Sequence, residues 1–214
     1  MYYNRGMSRY ALPFYTLLHP VNGFDALRYQ KKNSLRMSLL FFVLLLLSAL
    51  LTQQFTGPQI QMPDPDKVDL FQTFIGYLAV LVLFVLSNWA FCVLADGKAS
   101  LRDIWIITLY SLQPYIYCTL LRVVLSHLLT RNEAVFLSFL MIVGVLWSFM
   151  MLMSAFMIFH EFEIGKAVVS FIVTLIGMFL IAFLVFLCYA LYQQVADALT
   201  TVFHEIVFRF RQNG

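Results

Sequence analysis

Charge is what this sequence has least of. Only 12% of its 214 residues are Asp, Glu, Lys or Arg, against about 25% in an ordinary soluble domain. With 62% hydrophobic residues and a mean hydropathy of +0.83, this excludes a water-soluble fold, because one core of this size cannot hide so much apolar surface. Cysteine is scarce too. Cys92, Cys118 and Cys188 each lie in an apolar run, without CxxC or Cys/His spacing, so neither a disulfide framework nor a zinc site is encoded. No GxSxG, HExxH, P-loop or GxGxxG is present, which removes the common catalytic and cofactor-binding signatures. The net charge of +3 comes without a long basic run, so nothing points to nucleic acid. No cleavable leader is expected: residues 1–34 are polar and aromatic, and the apolar run 35–51 is long enough to stay as a signal anchor.

What is present is long apolar runs. A span needs about 20 mostly apolar residues at 1.5 Å rise each, and five segments qualify: 35–54, 70–95, 104–129, 135–159 and 167–193. None alternates as a barrel strand does, so helices are the form expected. The fold class is all-α: a polytopic membrane helix bundle with about five transmembrane helices, plus amphipathic N- and C-terminal helices. The chain divides into an N-terminal segment 1–34, a membrane domain 35–193 and an amphipathic segment 194–214. Arg5, Arg9, Arg28, Lys31, Lys32, Arg36, Lys98, Arg102 and Lys166 fall on one side of the bilayer. Only Lys67, Arg122, Arg131, Arg209 and Arg211 fall on the other. The positive-inside bias places the N-terminus in the cytoplasm of a cell membrane and the C-terminus outside.

Both flanks carry helical patterns. Asn22 can cap a helix beginning at Gly23, and Phe24, Leu27 and Lys31 are spaced to lie on the inner leaflet. Near the other end, Val195, Leu199, Val202, Phe203, Ile206 and Phe210 recur at helical spacing. That stripe suits an interfacial helix or a docking surface, with Leu199, Phe203, Ile206 and Phe210 as the candidate contacts.

Polar groups within spans are the usual functional suspects, because lipid leaves them unpaired. Asn88, Gln113 beside Pro114, and Arg122 are the candidates here. Pro114 frees a carbonyl and can kink its helix beside a cavity. Asn88 and Gln113 serve equally as hydrogen-bonding glue between helices, and Arg122 sits where it can snorkel outward. On the cytoplasmic side, Asp96, Lys98, Asp103, His160, Glu161 and Lys166, with His19 nearby, form a second candidate cluster. A His among carboxylates can bind a metal or move protons, while solvated turn residues are the plainer reading. Residues 87–98 and 154–166 also look alike, each ending a span in a Gly-Lys turn. Duplication explains this, and so does shared turn chemistry.

His19-Pro20 with Gly23-Phe24, the Asp96-Gly97-Lys98 turn with Ser100, Tyr110-Ser-Leu-Gln-Pro114, and Gly165-Lys166 before Thr174 resemble, in that order, the Yip-one domain family of Ypt/Rab-interacting membrane proteins. The resemblance covers about residues 17 to 210. It implies a five-helix membrane domain with a cytoplasmic N-terminus and, for eukaryotic relatives, a role in membrane traffic with Rab GTPases. The short segment before the first span points to a bacterial-type member. Such relatives resemble accessory partners of transport systems, ABC-type transporters among them. The expectation is a non-enzymatic protein, without cofactor or metal, that binds the lipid bilayer and a membrane-protein partner. A channel or carrier with a path near Asn88, Gln113 and Pro114 is the alternative, and a membrane-trafficking module the third. The sequence names no small-molecule substrate.

Overall fold

The computed structural model describes residues 11–30, 34–55, 69–95, 97–129 and 133–212, with backbone alone at Gln30, Ser34, Val202 and 205–212. Every regular element among them is a helix: α1 Leu12–Leu18, α2 Pro20–Gln30, α3 Ser34–Phe55, α4 Leu70–Leu94, α5 Leu101–Ser111, α6 Gln113–Ser126, α7 Ala134–Phe159 and α8 Ile164–Gln212. Five stretches are long and apolar enough to cross a membrane: Leu35–Phe55, Leu70–Leu94, Leu101–Ser126, Ala134–Phe159 and Ile164–Thr201. The chain is a multi-pass membrane bundle.

Local chemistry sets the helix starts. Asp69 caps α4, its carboxylate accepting from the N–H groups of Phe71 (2.9 Å) and Gln72 (3.2 Å). Ser100 and Asp103 form a reciprocal capping box on α5, which satisfies two otherwise orphaned donors. Between α1 and α2, His19 leaves the helical region at φ −130°, ψ 74°, as a residue before proline prefers. Helix α2 therefore starts at Pro20, whose missing N–H costs nothing in a first turn. Asn22 is thus inside the helix rather than its cap.

The expectation that Phe24 and Leu27 lie on the leaflet is overturned. Both are buried where α2 packs against α7, in one core with Leu12, Ile104, Ile107 and Phe156. Burial against protein wins because Gly23 lets α1 come close: a Cβ there would overlap Thr16. Lys31 lies outside the described residues.

The third span is not one helix. It breaks at Leu112, and Pro114 stands in the first turn of α6. A proline in a first turn costs α6 no hydrogen bond of its own, and Ser148 of α7 satisfies another first-turn donor by accepting from the Tyr115 N–H at 3.1 Å. One turn away, a Cβ on Gly144 would stand 2.8 Å from the Cys118 Cβ. The Gly144/Ser148 pair thus brings α6 and α7 into close contact.

The last span and the amphipathic segment are a single helix of 49 residues, about 74 Å long at 1.5 Å per residue. Nothing interrupts it at residue 193, since no glycine or proline occurs between 178 and 213. The separate helix expected after 193 is a continuation of α8.

Candidate functional site

The structure takes the two candidate clusters apart and rebuilds one of them. Asn88 does not join Gln113. It lies fully buried on the inner face of α4, and its side chain links three elements. Its Nδ2 donates to Thr174 Oγ1 at 2.9 Å and reaches Ser170 Oγ at 3.4 Å on α8. Its Oδ1 stands 3.1 Å from His160 Nε2, just past the end of α7. His160 Nδ1 is 3.0 Å from the Cys92 sulfur, one turn along α4. Ser87 closes the set by donating to the Thr174 carbonyl at 2.6 Å.

Donor arithmetic fixes the protons. Thr174 Oγ1 donates to the Ser170 carbonyl at 2.7 Å, so it accepts from Asn88, which turns the amide oxygen of Asn88 toward His160. Nε2 must then carry hydrogen, and Nδ1 of the neutral ring accepts the Cys92 thiol. Every polar atom of the ring is satisfied by protein. Its faces are covered as well, by Phe162 stacked at 5.1 Å and Phe156 edge-on at 5.3 Å. Burial pushes the His160 pKa down to about 4, because desolvation disfavours the charged ring.

Gly97 seals the assembly. Its N–H donates to the Cys92 carbonyl at 2.8 Å, and a Cβ there would overlap the Cys92 sulfur and stand 3.2 Å from His160 Nδ1. The glycine serves close approach rather than an unusual backbone angle, since among the described residues no glycine has positive φ. Gly165, its counterpart in the look-alike stretch, has nothing within 4 Å of such a Cβ. The two Gly-Lys pairs therefore do different jobs.

Above the buried set lies an exposed clasp. Glu161 is the one described non-glycine residue in the left-handed region, at φ 58°. Its carboxylate pairs with Arg28 of α2 and with Lys98 of the α4–α5 turn. The Lys98 and Arg28 hydrogen bonds lower its pKa. Arg28 also donates to the Ile158 carbonyl at 2.6 Å, which places a cation on the C-terminal end of α7, where the helix dipole favours one. Three segments distant in sequence are thus tied together at the membrane face that carries the N-terminal helices.

The other predicted residues stay apart. Asp103 is committed to the capping box, and Lys166 is exposed on the first turn of α8, at the rim of a cleft with Phe91, Ala95 and Phe162. Asp96 lies outside the described residues. His19 stacks on Tyr15 at 4.9 Å. Arg122 is half-buried, and its Nε has no partner among the described residues, so snorkelling leaves part of the guanidinium inside. Gln113 is fully buried at the α5–α6 break, and neither amide atom has a partner there. Leu199 and Phe203 are exposed, while the side chains of Ile206 and Phe210 are outside the described set.

Cys92, Ser87, Ser170, Thr174 and Arg28 were missed as members of this assembly. A signal existed: Asn88/Cys92 and Ser170/Thr174 are polar pairs four apart, the spacing that places both groups on one helix face. Thiol, imidazole and amide in line is also the arrangement of a cysteine nucleophile with its base and orienting group. Here Cys92 is 1% and His160 2% exposed, and a reactive thiol needs access and a positive surrounding. Among the described residues no three His, Cys, Asp or Glu side chains gather as metal ligands do. The arrangement is a hydrogen-bonded clamp.

The fold and the clamp's place in it can be set beside known families. The family model of the Yip1 domain matches residues 14–192. The chain belongs to the Yip1 domain family. No curated protein and no solved structure matches it. The Yip1 match takes in the first four spans, most of the fifth, the clamp and the clasp, and it ends inside α8, so residues 193–212 of that helix lie beyond it.

Proposed function

We propose that this protein is a non-enzymatic accessory, assembly or regulatory partner of another complex in the cell membrane, with an ABC-type transporter the first candidate to test. One contrast carries the reading. The polar cluster around Asn88 and His160 is closed and internally satisfied, whereas Leu199 and Phe203 at the far end of α8 are uncovered. Exposed large apolar side chains are the feature that marks interaction sites. The N-terminal helices face the cytoplasm in this reading, and the α8 extension stands outside. The test is purification of the tagged chain in mild detergent with identification of what co-purifies, repeated after Leu199→Ser and Phe203→Ser. Loss of the partner from an intact, monodisperse protein supports the role. Unchanged recovery removes α8 from it, and absence of any partner removes the role itself.

A channel or carrier is favoured by one observation, the unpartnered Gln113 amide at the break of the third span, because broken helices inside membranes line transport sites. Flux through proteoliposomes holding only this chain, compared with Gln113→Leu, decides it.

A further inference from the structure

We infer that the gap between α4 and α7 is a binding site for one lipid acyl chain, which enters it sideways from the bilayer. The site lies away from the uncovered end of α8, so it stands or falls independently of the role proposed above.

Helices α4 and α7 each pack on α5, yet their backbones hardly approach one another. Between them is a cavity of about 370 Å³ whose floor is the broken third span. Leu81, Thr108, Ser111 and Ser148 form its buried part, while Val80 and Val145 stand exposed at its mouth. Two ring pairs close the end nearer the clasp. Phe84 of α4 stacks with Phe156 of α7 at 6.4 Å, and Phe149 of α7 meets Phe171 of α8 edge-on at 5.1 Å.

Depth, chemistry and size identify the occupant. Leu81 lies near the middle of α4, which has 25 residues, and Val145 and Ser148 flank the middle of α7, which has 26. Helices of that length cross a hydrocarbon core of about 30 Å, so the mouth opens where the surrounding medium is acyl chains. Water has little to hold it there. Thr108 and Ser111 donate to carbonyls of their own helix at 2.7 Å each, and the Ser148 hydroxyl oxygen already accepts from the Tyr115 N–H. A buried water needs about 2–4 polar partners. A partner helix does not fit, because one turn about 10 Å across and 5.4 Å high takes roughly 420 Å³. A linear chain does. On the scale of a 150 Å³ apolar cavity that holds benzene, this one takes about fifteen carbons.

No lining residue is charged, and Gln113 does not line the cavity, so the site selects the chain rather than the headgroup. The gain is contact, not escape from water. Lipid tails are as apolar as these walls, but an unfilled gap forfeits dispersion with every atom that lines it. With the clasp side shut by rings, the chain comes from the leaflet opposite the clasp, and its tail end reaches the floor.

The experiment uses the full chain in phosphatidylcholine liposomes with a trace of phosphatidylcholine that carries a diazirine near the end of one acyl chain. Photolysis is expected to attach the chain to the buried residues Leu81 and Ser148. It should also label the exposed Phe179 and Phe186 of α8, which report the surrounding lipid. Val80→Trp and Val145→Trp each put a ring in the mouth. They are expected to cut the Leu81 and Ser148 adducts about tenfold relative to those on α8, through overpacking against the chain. Val82→Trp and Leu146→Trp, exposed but off the cavity, should leave that ratio unchanged, and so should phosphatidylglycerol in place of phosphatidylcholine. All four variants change exposed positions, and a monodisperse elution profile shows that each is folded. Adducts confined to α8, buried adducts that survive both mouth variants, equal loss in all four variants, or dependence on the headgroup overturn the inference. Buried adducts that form in liposomes and vanish in native membranes overturn it too, and give the cavity to a partner's side chain.

Discussion

Acidification is expected to loosen this bundle through His160 before it affects any paired carboxylate. The ring is neutral because burial lowers its pKa from 6.5 to about 4. In the unfolded chain it titrates near 6.5, so between those values the unfolded state binds the extra proton. Stability is therefore complete above pH 6.5 and falls as the pH drops from 6.5 toward 4. The full gap of about 2.5 pKa units corresponds to roughly 3 kcal/mol, and roughly 2 kcal/mol of it is lost by pH 5. For a chain of this length that is a fall of about 4–8 °C in melting temperature. The acidic neighbour on the same turn, Glu161, faces outward to Arg28 and Lys98, and its lowered pKa confines its own loss to below pH 4.5. Thermal unfolding in mild detergent at pH 7.5 and 5.0 measures the effect. His160→Gln starts less stable, because glutamine does not reach both Asn88 and Cys92, but its stability should be nearly flat across that interval. A wild-type protein that melts alike at both values, or a variant with the same slope, refutes the argument.

Other expectations follow from the same geometry. Gly97→Ala should lower the melting temperature more than Gly165→Ala, since only the first Cβ overlaps the Cys92 sulfur; equal effects would remove the lid role. Asn88→Ala should cost about 1–3 kcal/mol by orphaning a buried donor on His160, read from unfolding in detergent, whereas Asn88→Asp should change the pH dependence as well, by drawing a proton onto the ring. Arg28→Ala should open the α2–α7 contact more than Glu161→Gln, because Arg28 also holds the Ile158 carbonyl, and protease cutting after α2 measures that. A cysteine in the 58–66 loop should react with an impermeant thiol reagent on intact cells while one at Ser100 is protected; the reverse pattern inverts the orientation.

The five spans were legible because hydrophobic length is a one-dimensional property, and the first four stand within a few residues of where the runs predicted them, while the fifth runs on to Thr201. The break at Leu112 was half visible, as Pro114 announces a kink without saying that a new helix starts beside it. What failed were judgements about which neighbour a side chain finds. Asn88 and Gln113 looked like one site because both are amides within spans, yet 25 residues and a turn separate them along the chain. His160 was read with the carboxylates beside it in sequence. In the fold it turns inward, because Glu161 takes a left-handed backbone and carries the charge away. Phe24 and Leu27 fitted a lipid surface as well as a protein one, and periodicity alone does not tell the two apart. The α8 extension read as a separate helix only because its composition changes, while its backbone has no reason to stop.

Arg28 reaches a carbonyl 130 residues further along the chain, and this has a consequence for biosynthesis. Helix α2 leaves the ribosome long before its seat on α7 exists. At 5–20 residues per second the interval is roughly 7–26 s. During it Phe24 and Leu27 have no protein to pack on, so the nascent N-terminal helices must rest on lipid or on an assisting factor. The last event of folding at that end is then a transfer from one apolar surface to another, triggered when the turn carrying Glu161 is complete.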